Sequence, residues 1–290
     1  MFKQRMLTAL VLITILIGVL FYLPIAVLYF FIMLVCVLAA CEWCQLAGYY
    51  QISQKLMICS LFGIILFILT INSWNNTILM ISPIIKSLLL LSLLWWIFAF
   101  FLIISYPRRA GFWRNSKIWR LIFGMLTITP FGAGILALRQ FNYEANNYTG
   151  AISLLYIISL VVAVDSGSYL FGKLLGKHPL IAKISPGKTW EGIVGGLFTS
   201  TLIYYLFSMK FISLQLPFKV MSITILIVSI ISVLASILGD LTESMLKREA
   251  GIKESSNLVP GHGGVLDRID SLTAAIPIFA CLLLLFGKLR

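Results

Sequence analysis

The sequence predicts an all-α fold: a polytopic transmembrane helix bundle of about nine spans, with a polar, cytoplasm-facing site between its C-terminal helices. Three observations predict it. Of 290 residues, 60% are hydrophobic and 11% charged, which leaves too little polar surface to cover a water-soluble globule. The apolar residues gather in runs, each near the ~20 residues needed to cross ~30 Å of hydrocarbon. The excluded charge is concentrated. Asp240 to Asp270 holds ten charged residues, and at ~2.5–3.5 kcal/mol each, placing them all mid-bilayer would cost roughly 25–35 kcal/mol. That segment belongs in water or in a polar cavity, and charges crowded beside apolar spans mark a functional site by default.

The runs fall at 6–22, 24–40, 56–71, 84–105, 118–138, 150–171, 192–209, 220–239 and 271–287. Little more than Leu23 and Pro24 separates the first two, and the sixth ends in the polar stretch VDSGSYLFGK, so a fused hairpin or a half-helix would change the parity. Residues 1–150 form an N-terminal set of about five spans; 151–290 form a C-terminal region of about four spans with two cytoplasmic loops. Lys3 and Arg5 ahead of an apolar run have the form of a signal peptide. No small-residue cleavage site follows, so the first helix is expected to be retained. Cys41 and Cys44 have CxxC spacing without a second pair or a nearby His, and read as a helix end rather than a zinc site.

Loop charge sets the orientation. With the N-terminus in the cytoplasm, sixteen of the 22 basic residues lie inside, among them Arg108, Arg109, Arg114, Lys117 and Arg120, as the positive-inside rule requires. Both C-terminal polar loops then face the cytoplasm and the C-terminus lies outside. The net charge of +12 is topological, with some attraction for anionic membrane lipids; nucleic acid is not an expected partner.

All four aspartates (Asp165, Asp240, Asp267, Asp270) and both histidines lie in or beside the two C-terminal loops. Solvation alone would scatter them. Asp240 follows Gly239 at the end of the eighth span and Asp267 precedes the ninth, so two neighbouring antiparallel helices can bring the pair together. Such a pair suits Mg²⁺, a hard cation that takes carboxylates, phosphates and waters. The bland alternative is separately solvated helix ends, with Asp270 as N-cap of the last span. Lys247, Arg248, Lys253 and Arg268 surround the pair at a spacing that suits phosphates. Glu243 and Lys247 have the i, i+4 spacing of a surface ion pair, Glu249 reads as an exposed carboxylate, and Gly251 as the end of a short cytoplasmic helix. In PGHGG, Gly261, Gly263 and Gly264 let the backbone approach a ligand while His262 offers a hydrogen bond. Ser185 to Gly192, SPGKTWEG, lacks the first glycine of a Walker loop, but Lys188 ahead of a helix can still serve a phosphate, against a plain polar turn.

Taken together, Ser244, Lys247, Arg248, Lys253, Pro260, His262, Gly263, Gly264, Asp267, Arg268 and Asp270 resemble the signature of the phosphatidate cytidylyltransferases, or CDP-diacylglycerol synthases. The resemblance covers roughly 160–275; Glu254 stands where that family usually has Asp, and Val259 where a larger aliphatic is usual. It implies transfer of a cytidylyl group from CTP to phosphatidate, with Mg²⁺ and room for a second cation. It implies Asp240 and Asp267 on metal, with Lys188, Lys247, Arg248 and Arg268 on phosphates. Ser185, Lys253, His262, Gly263 and Gly264 would shape the substrate site, with Asp165 and Asp270 orienting these groups. It further implies an integral protein of a bacterial inner (cytoplasmic) membrane, working on the face where CTP is available; the sequence is compatible with a homodimer. A lipid transporter would show polar groups near several helix midpoints. A CDP-alcohol phosphotransferase would show its spaced aspartate run. A CTP-dependent polyprenol kinase is the nearest enzymatic alternative, distinguished by phosphate rather than cytidylyl reaching the lipid.

Overall fold

The computed structural model describes residues 2–75, 81–141, 143, 146–211, 223–259, 261 and 263–286. The helices are α1 (Phe2–Phe21), α2 (Ile25–Ala47), α3 (Ile52–Asn75), α4 (Pro83–Ser105), α5 (Gly111–Arg114), α6 (Lys117–Gln140), α7 (Tyr148–Leu175), α8 (Trp190–Phe211), α9 (Ile223–Ala250) and α10 (Leu266–Leu285). Each expected apolar run overlaps one of the nine long helices among the described residues. Eight of them, α2 to α4 and α6 to α10, are long and apolar enough to cross a membrane. Pro24, with φ −56° and ψ 148°, breaks α1 from α2, so the first two runs are not one helix.

The all-α expectation needs one amendment. A short antiparallel hairpin of β1 (Pro179–Ile181) and β2 (Ser185–Thr189) fills the link between α7 and α8. The polar ends of the sixth and eighth runs also differ from expectation. No separate cytoplasmic helix precedes Gly251: α9 is continuous for 28 residues, and α7 likewise carries VDSGSYLFGK on its last turns. At 1.5 Å per residue such helices reach ~42 Å, against ~30 Å of hydrocarbon, so their polar ends stand clear of lipid without breaking. Neither Pro nor Gly interrupts 240–250, and Gly251 then ends α9 at φ +69°, a conformation glycine adopts without strain.

Large apolar side chains such as Phe30, Phe101 and Phe198 are exposed, the reverse of a surface built for water. Backbone groups are satisfied within the helices, as lipid demands. The interior forms where α10 packs on α4, α6, α7 and α9. Small residues allow the closest approaches. A Cβ on Gly239 of α9 would lie 2.5 Å from the carbonyl oxygen of Asp270 on α10, and one on Gly196 of α8 would lie 2.7 Å from that of Val164 on α7. These two crossings place Asp240 beside Asp270 and bring the hairpin ahead of α8 to the same side of the bundle.

Topology can be read directly. A reporter fused after Arg290 is expected outside the membrane and one inserted at Gly251 inside. Both on one side would overturn the odd span count that the bias of basic residues supports.

Candidate active site

A cavity of about 440 Å³ opens among α7, β2, the start of α8, α9, the 253–254 turn and α10. Five carboxylates (Asp165, Asp240, Glu254, Asp267 and Asp270) and four cations (Lys188, Lys247, Lys253 and Arg268) line it. Residues read from the sequence as site groups thus converge on one space from five segments of the chain.

Three ion pairs, made by two lysines, organise part of this charge. Lys188 Nζ, at the end of β2, lies 2.6 Å from Asp240 Oδ2, with both side chains about a quarter exposed. Ser244 Oγ donates to Asp240 Oδ1 at 3.2 Å. Lys247 Nζ lies 2.7 Å from Asp267 Oδ1 and 3.2 Å from Glu243 Oε1. Asp267 Oδ2 accepts from the N–H of Ser255 at 2.9 Å and the N–H of Gly264 at 2.8 Å, and the Ser255 hydroxyl lies 3.0 Å away. On the opposite wall, Ser271 Oγ donates to Asp165 Oδ1 at 3.5 Å.

Several expectations are corrected by these contacts. The Glu243–Lys247 pair is not on the surface: Glu243 is buried, because α9 turns that face toward α10. Glu249 is not an exposed carboxylate. It accepts from Arg114 Nε at 2.7 Å, Arg114 Nη2 at 2.9 Å and the Tyr106 hydroxyl at 2.7 Å, tying the end of α9 to the α4–α6 connection. Burial and the adjacent Glu249 carboxylate push the Tyr106 hydroxyl up to about 12. Asp270 is not an N-cap, since α10 already begins at Leu266. The paired glycines let backbone approach carboxylates of the chain itself. A Cβ on Gly263, where φ is +84°, would lie 2.7 Å from Asp267 Oδ2, and one on Gly264 would collide with Ser255 Oγ and Glu42 Oε2. Arg248 does not line the cavity; its Nε donates to the carbonyl of Ile184 at 3.2 Å, holding the hairpin. Ser185 pairs across the hairpin with Ile181 and is not part of the cavity wall either. His262 lies outside the described residues.

The donor set fits Mg²⁺. Among the described residues, the metal-ligating side chains that line the cavity are carboxylates and hydroxyls, and Mg²⁺ commonly binds through one or two carboxylates while substrate phosphates and waters complete its octahedron. Among the described residues no group of three or more His, Cys, Asp or Glu side chains forms a ready-made metal cage.

Over residues 3–286 the chain matches the model described as the cytidylyltransferase family. The chain belongs to that family. It is 41% identical over 285 residues to the phosphatidate cytidylyltransferase of Haemophilus influenzae, covering 97% of this chain and 98% of that protein. It is 40% identical over 283 residues to that of Pseudomonas aeruginosa, covering 98% and 97%. The Staphylococcus saprophyticus protein of the same name is 40% identical over 162 residues, covering 56% of this chain and 58% of that one.

The residue that sequence reasoning missed in this cytidylyltransferase is Glu42 on α2, which is buried and accepts four hydrogen bonds from 255–266. A signal for it existed: Glu42 is the sole acidic residue in the first 143 positions, in an otherwise apolar helix. Thr189, Ser168 and Tyr169 also line the cavity; they lie within the segments SPGKTWEG and VDSGSYLFGK but were given no role there. Glu254, the departure from the usual Asp, is exposed yet lines the cavity. Glu254→Asp is expected to keep most of the activity and Glu254→Ala to lose several-fold more; equal initial rates for Ala and wild type would make the position plain surface.

Proposed function

We propose that this chain transfers the cytidylyl group of CTP to phosphatidate, giving CDP-diacylglycerol and pyrophosphate, in phospholipid biosynthesis. One observation carries the proposal beyond family membership. Arg268 lines the charged cavity and also an apolar groove of about 330 Å³ between α1, α2, α6, α7 and α10. A polar chamber and an apolar one that share a guanidinium in their walls suit a substrate pair of which one is a nucleoside triphosphate and the other a phosphate head on acyl chains.

A phosphate oxygen of the lipid attacks the α-phosphorus of CTP, the bond from that phosphorus to the β-phosphate bridging oxygen breaks, and pyrophosphate leaves. No protein nucleophile is needed, so positioning and charge neutralisation supply the rate. Lys188, Lys247, Lys253 and Arg268 present cations to the phosphates; for Lys188 this means passing from Asp240 to an incoming oxygen. Mg²⁺ bound by Asp240 and Asp267 would supply Lewis-acid neutralisation of the triphosphate, and Asp165 and Asp270 would orient these groups. The cavity faces the cytoplasm of an inner membrane in this proposal, on the strength of the basic-residue bias and the location of CTP.

Incubation of the detergent-purified protein with labelled CTP, phosphatidate and Mg²⁺ tests it. Labelled CDP-diacylglycerol with equimolar pyrophosphate is expected. CDP with a phosphorylated lipid would show a kinase instead, and neither product would leave a transporter.

A further inference from the structure

Glu42 does not line the cavity, yet its carboxylate holds the loop that does. Oε1 accepts from Ser256 Oγ at 2.6 Å and the N–H of Val265 at 2.9 Å; Oε2 accepts from Ser255 Oγ at 2.8 Å and the N–H of Leu266 at 2.7 Å. Two of these donors precede the Gly-Gly turn and two follow it, so one side chain from α2 closes both ends of the loop. Ser255 links Glu42 directly to the site, because its hydroxyl lies within reach of both Glu42 Oε2 and Asp267 Oδ2. The two backbone donors are the N-cap residue Val265 and the first residue of α10, Leu266, where N–H groups lack helical partners and a negative group is favoured by the dipole. A Cβ at Gly264 would intrude between Glu42 and Ser255, which accounts for glycine there independently of any ligand.

We infer that Glu42 is a positioning residue for cytidylyl transfer, an inference that rests on the proposed function above. By fixing 255–266 against α2 it sets where Asp267 and Arg268 meet the cavity. Geometry leaves little substitute for glutamate. Each oxygen takes one backbone N–H that cannot reverse, so the amide nitrogen of Gln would set donor against donor in either orientation. Asp is one methylene too short to reach both ends.

The test compares Glu42→Gln and the milder Ser256→Ala with wild type, as full-length protein in detergent, by hydrogen exchange and by steady-state kinetics. In Glu42→Gln, exchange is expected to rise in 253–268 and stay at the wild-type level in α4 and α8. kcat should fall at least tenfold while KM for CTP moves less than threefold. Ser256→Ala should show the same local exchange with a kcat loss of two- to fivefold. Unchanged exchange and kcat in Glu42→Gln would overturn the inference. So would exchange raised alike in every helix, which marks a residue of bulk stability. Exchange needs no turnover: a wild type that makes no CDP-diacylglycerol sinks the proposed reaction, while the loop anchor is still decided by the exchange result.

Discussion

Asp240→Asn is expected to lower the rate of CDP-diacylglycerol formation by about 10²-fold or more while leaving the fold intact. The substitution keeps size and polarity but removes a negative charge from a partly hydrated site, and preorganised electrostatic groups carry effects of this order. Among the described residues Asp240 is bound by Lys188 and Ser244 alone, so few contacts are lost. Added Mg²⁺ should recover part of the rate if weaker ion binding is the main defect. Asp267→Asn should cost as much rate and also stability. Its two oxygens together meet Lys247, two backbone N–H groups and the Ser255 hydroxyl, and an amide nitrogen must oppose at least one of these donors. Glu191→Gln is the control; Glu191 pairs with His178 at 2.5 Å, is not itself among the residues that line the cavity, and should change the rate by less than about threefold. Initial rates and thermal midpoints at equal protein amounts decide the matter. Near-normal, Mg²⁺-dependent turnover by both Asn variants would remove Asp240 and Asp267 from the site.

Lys247→Met should be the most destructive single change for the fold as well as the reaction. Lys247 stands between Glu243 and Asp267, with side-chain exposures of 13%, 3% and 5% respectively. Removing the cation leaves two buried carboxylates facing each other. Losing one partner of a buried ionic cluster costs about 3–5 kcal/mol, because the remaining charge keeps its desolvation without its compensation. Adding Glu243→Gln to Lys247→Met should restore part of the thermal midpoint, since only one uncompensated carboxylate remains, but not the activity, since the phosphates still lack Lys247. A single variant with the wild-type midpoint and rate would show that Lys247 is neither a counterion nor a phosphate ligand.

The residues of the cavity were largely legible before any coordinates. Asp165, Lys188, Asp240, Lys247, Lys253, Asp267, Arg268 and Asp270 all line it. Their shared property, charge in a chain that otherwise avoids it, is visible along the sequence. Arg248 shows the limit. It has the same chemistry and is the immediate neighbour of Lys247, but one step along a helix turns a side chain by ~100°, and it reaches Ile184 instead of the cavity. Glu243 and Glu249 likewise read as surface groups until the neighbours of α9 were known.

By itself the sequence determined the helical class, the placement of the long helices, the polar segment that could not lie in lipid, and the signature of the family. Each follows from a local sum, apolar length against bilayer thickness or charge against hydrocarbon, and such sums need no knowledge of packing. Only the tertiary structure decided which carboxylate holds which cation. It alone joined Glu42 to Ser255 and Leu266 across more than two hundred residues, and turned the Gly-Gly pair toward the chain's own carboxylates. Hydrogen bonds and ion pairs depend on which helix faces lie together, and spacing along one helix says nothing about the helix that will pack against it.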